Sequence, residues 1–223
     1  MRIAPVLLFI FYLVFNGPPL QAGAWPREQG RAFVSTSVRL FWPQDITSWT
    51  SRQPTGQYYT FYGEYGLTNR LTLGADLGRS VSGQGKSVLF LRVPLHMRNA
   101  RLKIATELGL GVIDGQSVLR PGLSVGLGLR NGWLSAEGLA EISPRKSAAD
   151  FKLDLTWGWN LGRDRKLMLQ MQTGQPYGKE AFARFASSIV LPLTTAFSAE
   201  IGGSWDLAGA DTFGVLLGVW SEF

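Results

Sequence analysis

The strictest constraint on this chain is a two-residue alternation that returns in stretch after stretch from residue 30 to the carboxy terminus. Between 102 and 113, Leu102, Ile104, Thr106, Leu108, Leu110 and Val112 share one parity, and Lys103, Ala105, Glu107, Gly109 and Gly111 share the other. From 118, Leu119, Leu123, Val125, Leu127 and Leu129 oppose Arg120, Gly122, Ser124, Gly126, Gly128 and Arg130. The final stretch sets Phe213, Val215, Leu217, Val219 and Phe223 against Gly214, Leu216, Gly218, Trp220 and Glu222. Successive side chains of a strand point to opposite faces, so each stretch is a strand with one apolar face and one small or polar face.

Twelve such segments can be drawn: 31–42, 58–67, 71–81, 88–97, 102–113, 118–130, 133–142, 151–161, 167–174, 183–193, 197–207 and 212–223. Tight connections at 68–70, 98–101, 131–132, 162–166 and 194–196 alternate with mostly longer ones at 43–57, 82–87, 143–150 and 175–182. The links at 114–117 and 208–211 are short and weaken that rule. Short turns at one end, longer loops at the other, an even strand count and strands of about ten residues are the marks of a transmembrane barrel. The expected fold is all-β, a closed antiparallel up-and-down barrel with lipid outside and a lumen inside. Phe151 with Trp159, Phe197 with Trp205, and Phe213 with Phe223 keep the outward parity near opposite strand ends. With a tilt near 45° the first two pairs span about 19 Å and the last about 23 Å, close to the apolar band of such barrels. Pro94, Pro121 and Pro192 fall inside the segments, where each removes a ladder donor. Bulges or early strand ends are expected there.

The terminal strand, with Phe213, Val215, Leu217 and Val219 leading to an aromatic end at Phe223, resembles the signal by which Gram-negative outer-membrane β-barrels are recognised by their assembly machinery. That resemblance implies the machinery and outer-membrane lipids as partners. Gly23-Ala-Trp-Pro-Arg-Glu-Gln-Gly30 and Tyr65-Gly-Leu-Thr-Asn-Arg-Leu-Thr-Leu-Gly74 are similar to wording in uncharacterised outer-membrane proteins and barrel transporters of the porin-like type. The amino terminus agrees: Met1-Arg2 is basic, Ile3 to Phe15 is apolar, Asn16-Gly-Pro-Pro19 breaks a helix, and Ala22-Gly-Ala24 supplies an A-x-A site. This reads as a cleaved secretory signal over 1–24 with the barrel over 25–223, Trp25 first and Gly23 the alternative start. The apolar run falls short of the roughly 20 residues a spanning helix needs.

Composition narrows the chemistry. Cysteine is absent and histidine occurs once, which removes disulfides, thiolate sites and multi-histidine metal sites. No cofactor is implied. The net charge of +6 is scattered without a basic stripe, so nucleic acid is not an expected partner. His96 is the only imidazole available to a hydrolase, with Lys103 its expected cross-strand neighbour, and a nearby cation makes it a poorer base. No nucleophile motif surrounds it, so an enzyme is not expected.

The inward parity collects a nearly balanced set of charges whose candidate lumen-lining members are Arg92, His96, Glu107, Arg120, Glu141, Lys152, Arg184 and Asp206. Turn lengths place Arg92 opposite Glu107, Glu141 opposite Lys152 and Arg184 opposite Asp206, pairs that steady adjacent strands. Gly109, Gly111, Gly122, Gly126 and Gly128 remove bulk from one wall, and a twelve-strand barrel is wider than the side-chain-filled eight-strand type. The glycines leave open volume there, or let the sheet bend, or admit Trp220, Phe90 or Tyr62. The expected function is a narrow conduit for small polar solutes. A non-conducting structural or interaction barrel is the alternative, and a lipid-modifying outer-membrane enzyme ranks behind both.

Overall fold

The computed structural model describes residues 23–95, 101–145 and 148–223. Twelve strands form: β1 Ala32–Pro43, β2 Gly56–Thr68, β3 Leu71–Ser80, β4 Gly85–Leu95, β5 Leu102–Ile113, β6 Gln116–Leu129, β7 Gly132–Ser143, β8 Ala148–Asn160, β9 Lys166–Gln175, β10 Phe182–Pro192, β11 Phe197–Ala208 and β12 Thr212–Glu222. Every strand pairs antiparallel with its neighbours in the chain, and β12 pairs with β1 to close the barrel. The seam is tied at its end by reciprocal backbone bonds: Ala32 N–H donates to the Phe223 carbonyl at 2.6 Å, and Phe223 N–H to Ala32 at 3.1 Å. Closure leaves no free edge, which an isolated sheet in lipid could not tolerate.

Each expected strand is present, and most gain residues at the loop end. β4 starts at Gly85, β6 at Gln116 and β8 at Ala148. In these extensions both faces leave the apolar zone, so the alternation fades while backbone pairing continues. The β5–β6 link shrinks to Asp114-Gly115, at φ 46° and 76°, a left-handed pair suited to a tight two-residue hairpin. The longest loop, residues 44–55, carries one helical turn, Ile46–Ser48, capped by the Asp45 carboxylate accepting from the Thr47 amide at 2.9 Å. Gln44 anchors this loop to the rim by donating to the carbonyls of Asp206 at 2.7 Å and Thr212 at 3.0 Å.

Of the two outcomes expected at the prolines, bulges or early strand ends, two of the three prolines lie at strand ends. Pro192 ends β10 and Pro94 is the second-last residue of β4. Pro121 lies within β6, where pairing with β7 lapses between Leu119↔Ile142 and Gly122↔Leu139 with the register unchanged.

The outward face carries the apolar set, with Leu110 65%, Leu89 61% and Phe151 58% exposed. Water would not tolerate so extensive an apolar belt on a monomer, whereas lipid would. At the loop-end rim, Trp42, Trp49 and Trp205 stack around Phe213 with ring centroids 5.6, 5.7 and 6.1 Å away. Trp157 and Trp159 also face outward as a touching pair, centroids 3.8 Å apart. Of the terminal set, Leu217, Val219 and Phe223 are exposed on the outer surface, while Trp220 of the opposite parity packs inside.

Candidate functional site

The interior holds a feature that alternation could not show. Before β1, residues 23–27 run inside the barrel at its short-turn end, and the exposed residues 28–30 carry the chain back to the rim. Ala24 is fully buried and Arg27 is 3% exposed. Trp25 packs on a floor made by Trp133 of β7, Met168 of β9 and Val190 of β10, joined by Trp220 of β12. The Gly23 amide donates to Glu137 Oε1 at 2.9 Å and the Arg27 amide to Thr72 Oγ1 at 3.2 Å. The Gly30 amide donates to the Gly66 carbonyl at 2.9 Å, and its φ of 78° turns the segment into β1.

Arg27 is also the first member of a buried ionic ladder across five strands. Its Nε donates to Glu64 Oε2 at 2.7 Å, and Arg92 Nη1 reaches the other Glu64 oxygen. Arg92 Nη2 donates to Glu107 Oε2 at 2.8 Å, and Arg120 Nη2 lies 3.4 Å from Glu107 Oε1. Arg120 Nη1 continues to Asp76 Oδ2 at 2.6 Å, and Lys86 Nζ closes on Asp76 Oδ1 at 2.7 Å. Phe90 lies beneath two of the guanidiniums, 5.0 Å from that of Arg92 and 5.5 Å from that of Arg120. Each carboxylate in the ladder meets two cations, the arrangement that lets ions stay charged away from water.

Arg92 and Glu107 are direct cross-strand partners, as are Arg184 and Asp206, the latter joined at 2.6 Å. Lys152 and Glu141 also form an ion pair, at 2.8 Å, but not as opposed residues. Glu141 stands opposite Asp150, and Lys152 opposite Leu139, so the contact is diagonal. The expected register is two residues off because β7 and β8 extend to a shorter connection than the sequence implied. His96 lies outside the described residues.

The glycine-rich wall is where expectation and structure part. A side chain at Gly109 would meet Val88 and Arg120, one at Gly122 would meet Leu139 and Glu107, and one at Gly126 would strike Trp25 and Ala24. The space over Gly109, Gly122 and Gly126 is therefore taken up by neighbouring side chains, the ladder and the N-terminal segment among them, while a side chain at Gly128 would meet only the Arg101 carbonyl at 3.7 Å. Phe90, the cross-strand partner of Gly109, lies under the Arg120 guanidinium in the same wall. Arg120, 2% exposed, is buried in this wall between Asp76 and Glu107.

Open volume lies across the lumen. A cavity of about 350 Å³ runs along β1, β2, β7, β9 and β12, reaches Lys166 and Glu222 at the short-turn end, and is lined in part by Gly23 and Glu137. Its walls carry Ser35, Ser37, Thr60, Gln170, Gln172 and Arg39. Arg39 Nη1 donates to Gln172 Oε1 at 3.2 Å. Arg39 Nε, Trp133 Nε1 and Ser135 Oγ are buried beside the cavity without a protein hydrogen-bond partner among the described residues. Among the described residues there is no cluster of histidine, cysteine and carboxylate side chains able to hold a metal. Sequence reading missed this lining because serine, threonine and glutamine on the inward parity carry no charge signal and come from strands far apart in the chain.

No family model and no curated protein matches the sequence. Solved structures do match. The KdgM porin in complex with disordered oligogalacturonate superposes with TM-score 0.63 at 8% identity, over 85% of this chain and 99% of that one. The NanC porin gives 0.66 at 6% identity, over 83% and 98%. An outer-membrane channel from Pseudomonas putida F1 gives 0.59 at 11% identity, over 92% and 100%. At such identities the likeness is one of architecture: this chain has the barrel fold of outer-membrane porins.

Proposed function

We propose that the chain is an outer-membrane conduit for small polar solutes, closed at its periplasmic end by its own residues 23–30. The observation that carries this reading is the cavity of about 350 Å³, walled by hydroxyls, amides and charged side chains of both signs, inside a barrel whose outside is apolar. Polar side chains facing an enclosed space, with donors left free, can replace the hydration of a passing solute. The fold shared with porins supports the same reading, and the short-turn end is then periplasmic, as in barrels of this kind. Outer-membrane lipids would contact the apolar belt, and the assembly machinery would read the strand ending at Phe223. The reading assigns no catalysis to the lumen.

A second reading has its own observation. The ladder and the N-terminal segment fill much of the interior, as expected of a non-conducting structural barrel. Planar-bilayer recording of two refolded chains separates them: one beginning at Gly23, and one lacking residues 23–29. The conduit predicts small or rare current steps from the first and larger, sustained steps from the second. Silence from both, with heat-modifiable gel migration showing both folded, would leave the structural barrel.

A further inference from the structure

Glu137 projects from β7 into the lumen directly opposite Asp154 of β8. Like charges facing each other across a strand pair are destabilising. Its other cross-strand partner, Ser124 of β6, carries no charge. Among the described residues Glu137 makes no ion pair, and the donor at its carboxylate is the Gly23 backbone nitrogen at 2.9 Å. A carboxylate drawn away from bulk water calls for a counter-charge, and nothing in this wall supplies one in contact.

We propose that the export signal is removed between Ala22 and Gly23, and that the α-ammonium so created seats on Glu137 as the latch of the N-terminal plug. Hydrolysis adds one water across the Ala22–Gly23 peptide bond. The Ala22 carboxylate leaves with the signal, and Gly23 keeps a free amine that takes up a proton. The peptide N–H at Gly23 stands where that ammonium would lie. Conversion to the amine replaces one neutral donor by a cation with several, beside the Glu137 carboxylate, which makes no ion pair among the described residues.

Three observations favour this junction over the one two residues later, although Ala22-Gly-Ala24 matches an A-x-A site for the later cut. A cut before Trp25 would discard Gly23 and Ala24, both buried within the lumen. It would also place the new ammonium at the Trp25 nitrogen, which makes no hydrogen bond among the described residues. Finally, a side chain at residue 23 would lie 2.9 Å from Cδ and both oxygens of Glu137, so glycine lets the terminus approach this closely.

The mass of the N-terminal tryptic peptide from protein purified from outer membranes gives the first test. Gly23–Arg27 is expected, and a peptide beginning at Trp25 overturns the proposal. The second test acylates the α-amine of the folded barrel with an amine-reactive N-hydroxysuccinimide ester and compares it with denatured protein. Folded wild type should react about tenfold more slowly or less, the equivalent of about 1.4 kcal/mol of protection. Glu137→Gln, which keeps the shape and removes the charge, should erase most of that protection while Trp25 burial, read by fluorescence, is largely retained. Equal rates for folded and denatured wild type, or unchanged protection in E137Q, would overturn the latch. If E137Q does not fold, the terminus and the wild-type rates still decide. Neither measurement depends on whether the barrel conducts.

Discussion

Replacing Arg92 by methionine tests the ladder at its centre. The side chain is 4% exposed and serves both Glu64 and Glu107, with a further contact from Nη2 to the Tyr62 hydroxyl at 3.2 Å. Methionine keeps much of the volume over Phe90 and removes the charge. Stripping one partner from a buried ion pair costs about 3–5 kcal/mol, because the other charge stays behind. Here Glu64 retains Arg27 at 2.7 Å, while Glu107 is left with Arg120 at 3.4 Å, so one carboxylate is well compensated and the other poorly. The expected loss therefore lies near the lower bound, about 3 kcal/mol. In urea, with a slope of about 2–3 kcal/mol per molar, this lowers the unfolding midpoint of the vesicle-refolded barrel by about 1–1.5 M. Adding Glu107→Gln to Arg92→Met should recover part of the loss, since the poorly paired carboxylate is then gone. The double-mutant cycle should give a coupling of about 1–3 kcal/mol. A midpoint shift below about 0.3 M for Arg92→Met, or simple additivity in the double variant, would show that the ladder stays solvated and does not brace the wall.

Arg39→Glu changes a guanidinium that still lines the cavity once Arg27 has gone with residues 23–29, so in that shortened chain the reversal potential under a salt gradient should move towards cation selectivity. The same substitution at Arg120, buried in the opposite wall, should instead impair folding; the reverse assignment of effects would mean the passage follows β5 and β6. Deleting Phe223 removes the exposed terminal aromatic and the Ala32–Phe223 bonds that tie the seam, so folded yield in the outer membrane should fall several-fold on quantitative gels. Normal heat-modifiable yield would show that neither the seam bonds nor the terminal aromatic is needed for assembly.

Alternation was enough to read the barrel. Leu102 to Val112 and Phe213 to Phe223 must each present one apolar face along a whole strand, and only an apolar medium outside satisfies every such strand at once. Tight turns fixed which residues meet: four residues between Met97 and Leu102 place Arg92 opposite Glu107, and the three-residue turn after Leu193 brings Arg184 to Asp206. Such arithmetic works where a short turn sets the register. It fails between β7 and β8, where polar residues beyond the apolar zone give no parity signal and Glu141 meets Lys152 only diagonally.

What fills the lumen was not legible in the same way. Glycines at 109, 122 and 126 announce a missing side chain, but whether the gap becomes a channel or receives a neighbour depends on what lies across the barrel. Gly126 is about a hundred residues from Trp25, and no local propensity links them. The segment 23–30 has no periodicity because it is neither strand nor helix; its place is set by Arg27 on Glu64, Trp25 on Trp133 and Gly23 on Glu137, contacts that exist only once the barrel has closed. Local pattern decides which face of each strand meets lipid, since that choice is made residue by residue. The division of the interior into a braced wall, a plug and a cavity belongs to the closed barrel, because its contacts join residues that neither turn length nor period two relates.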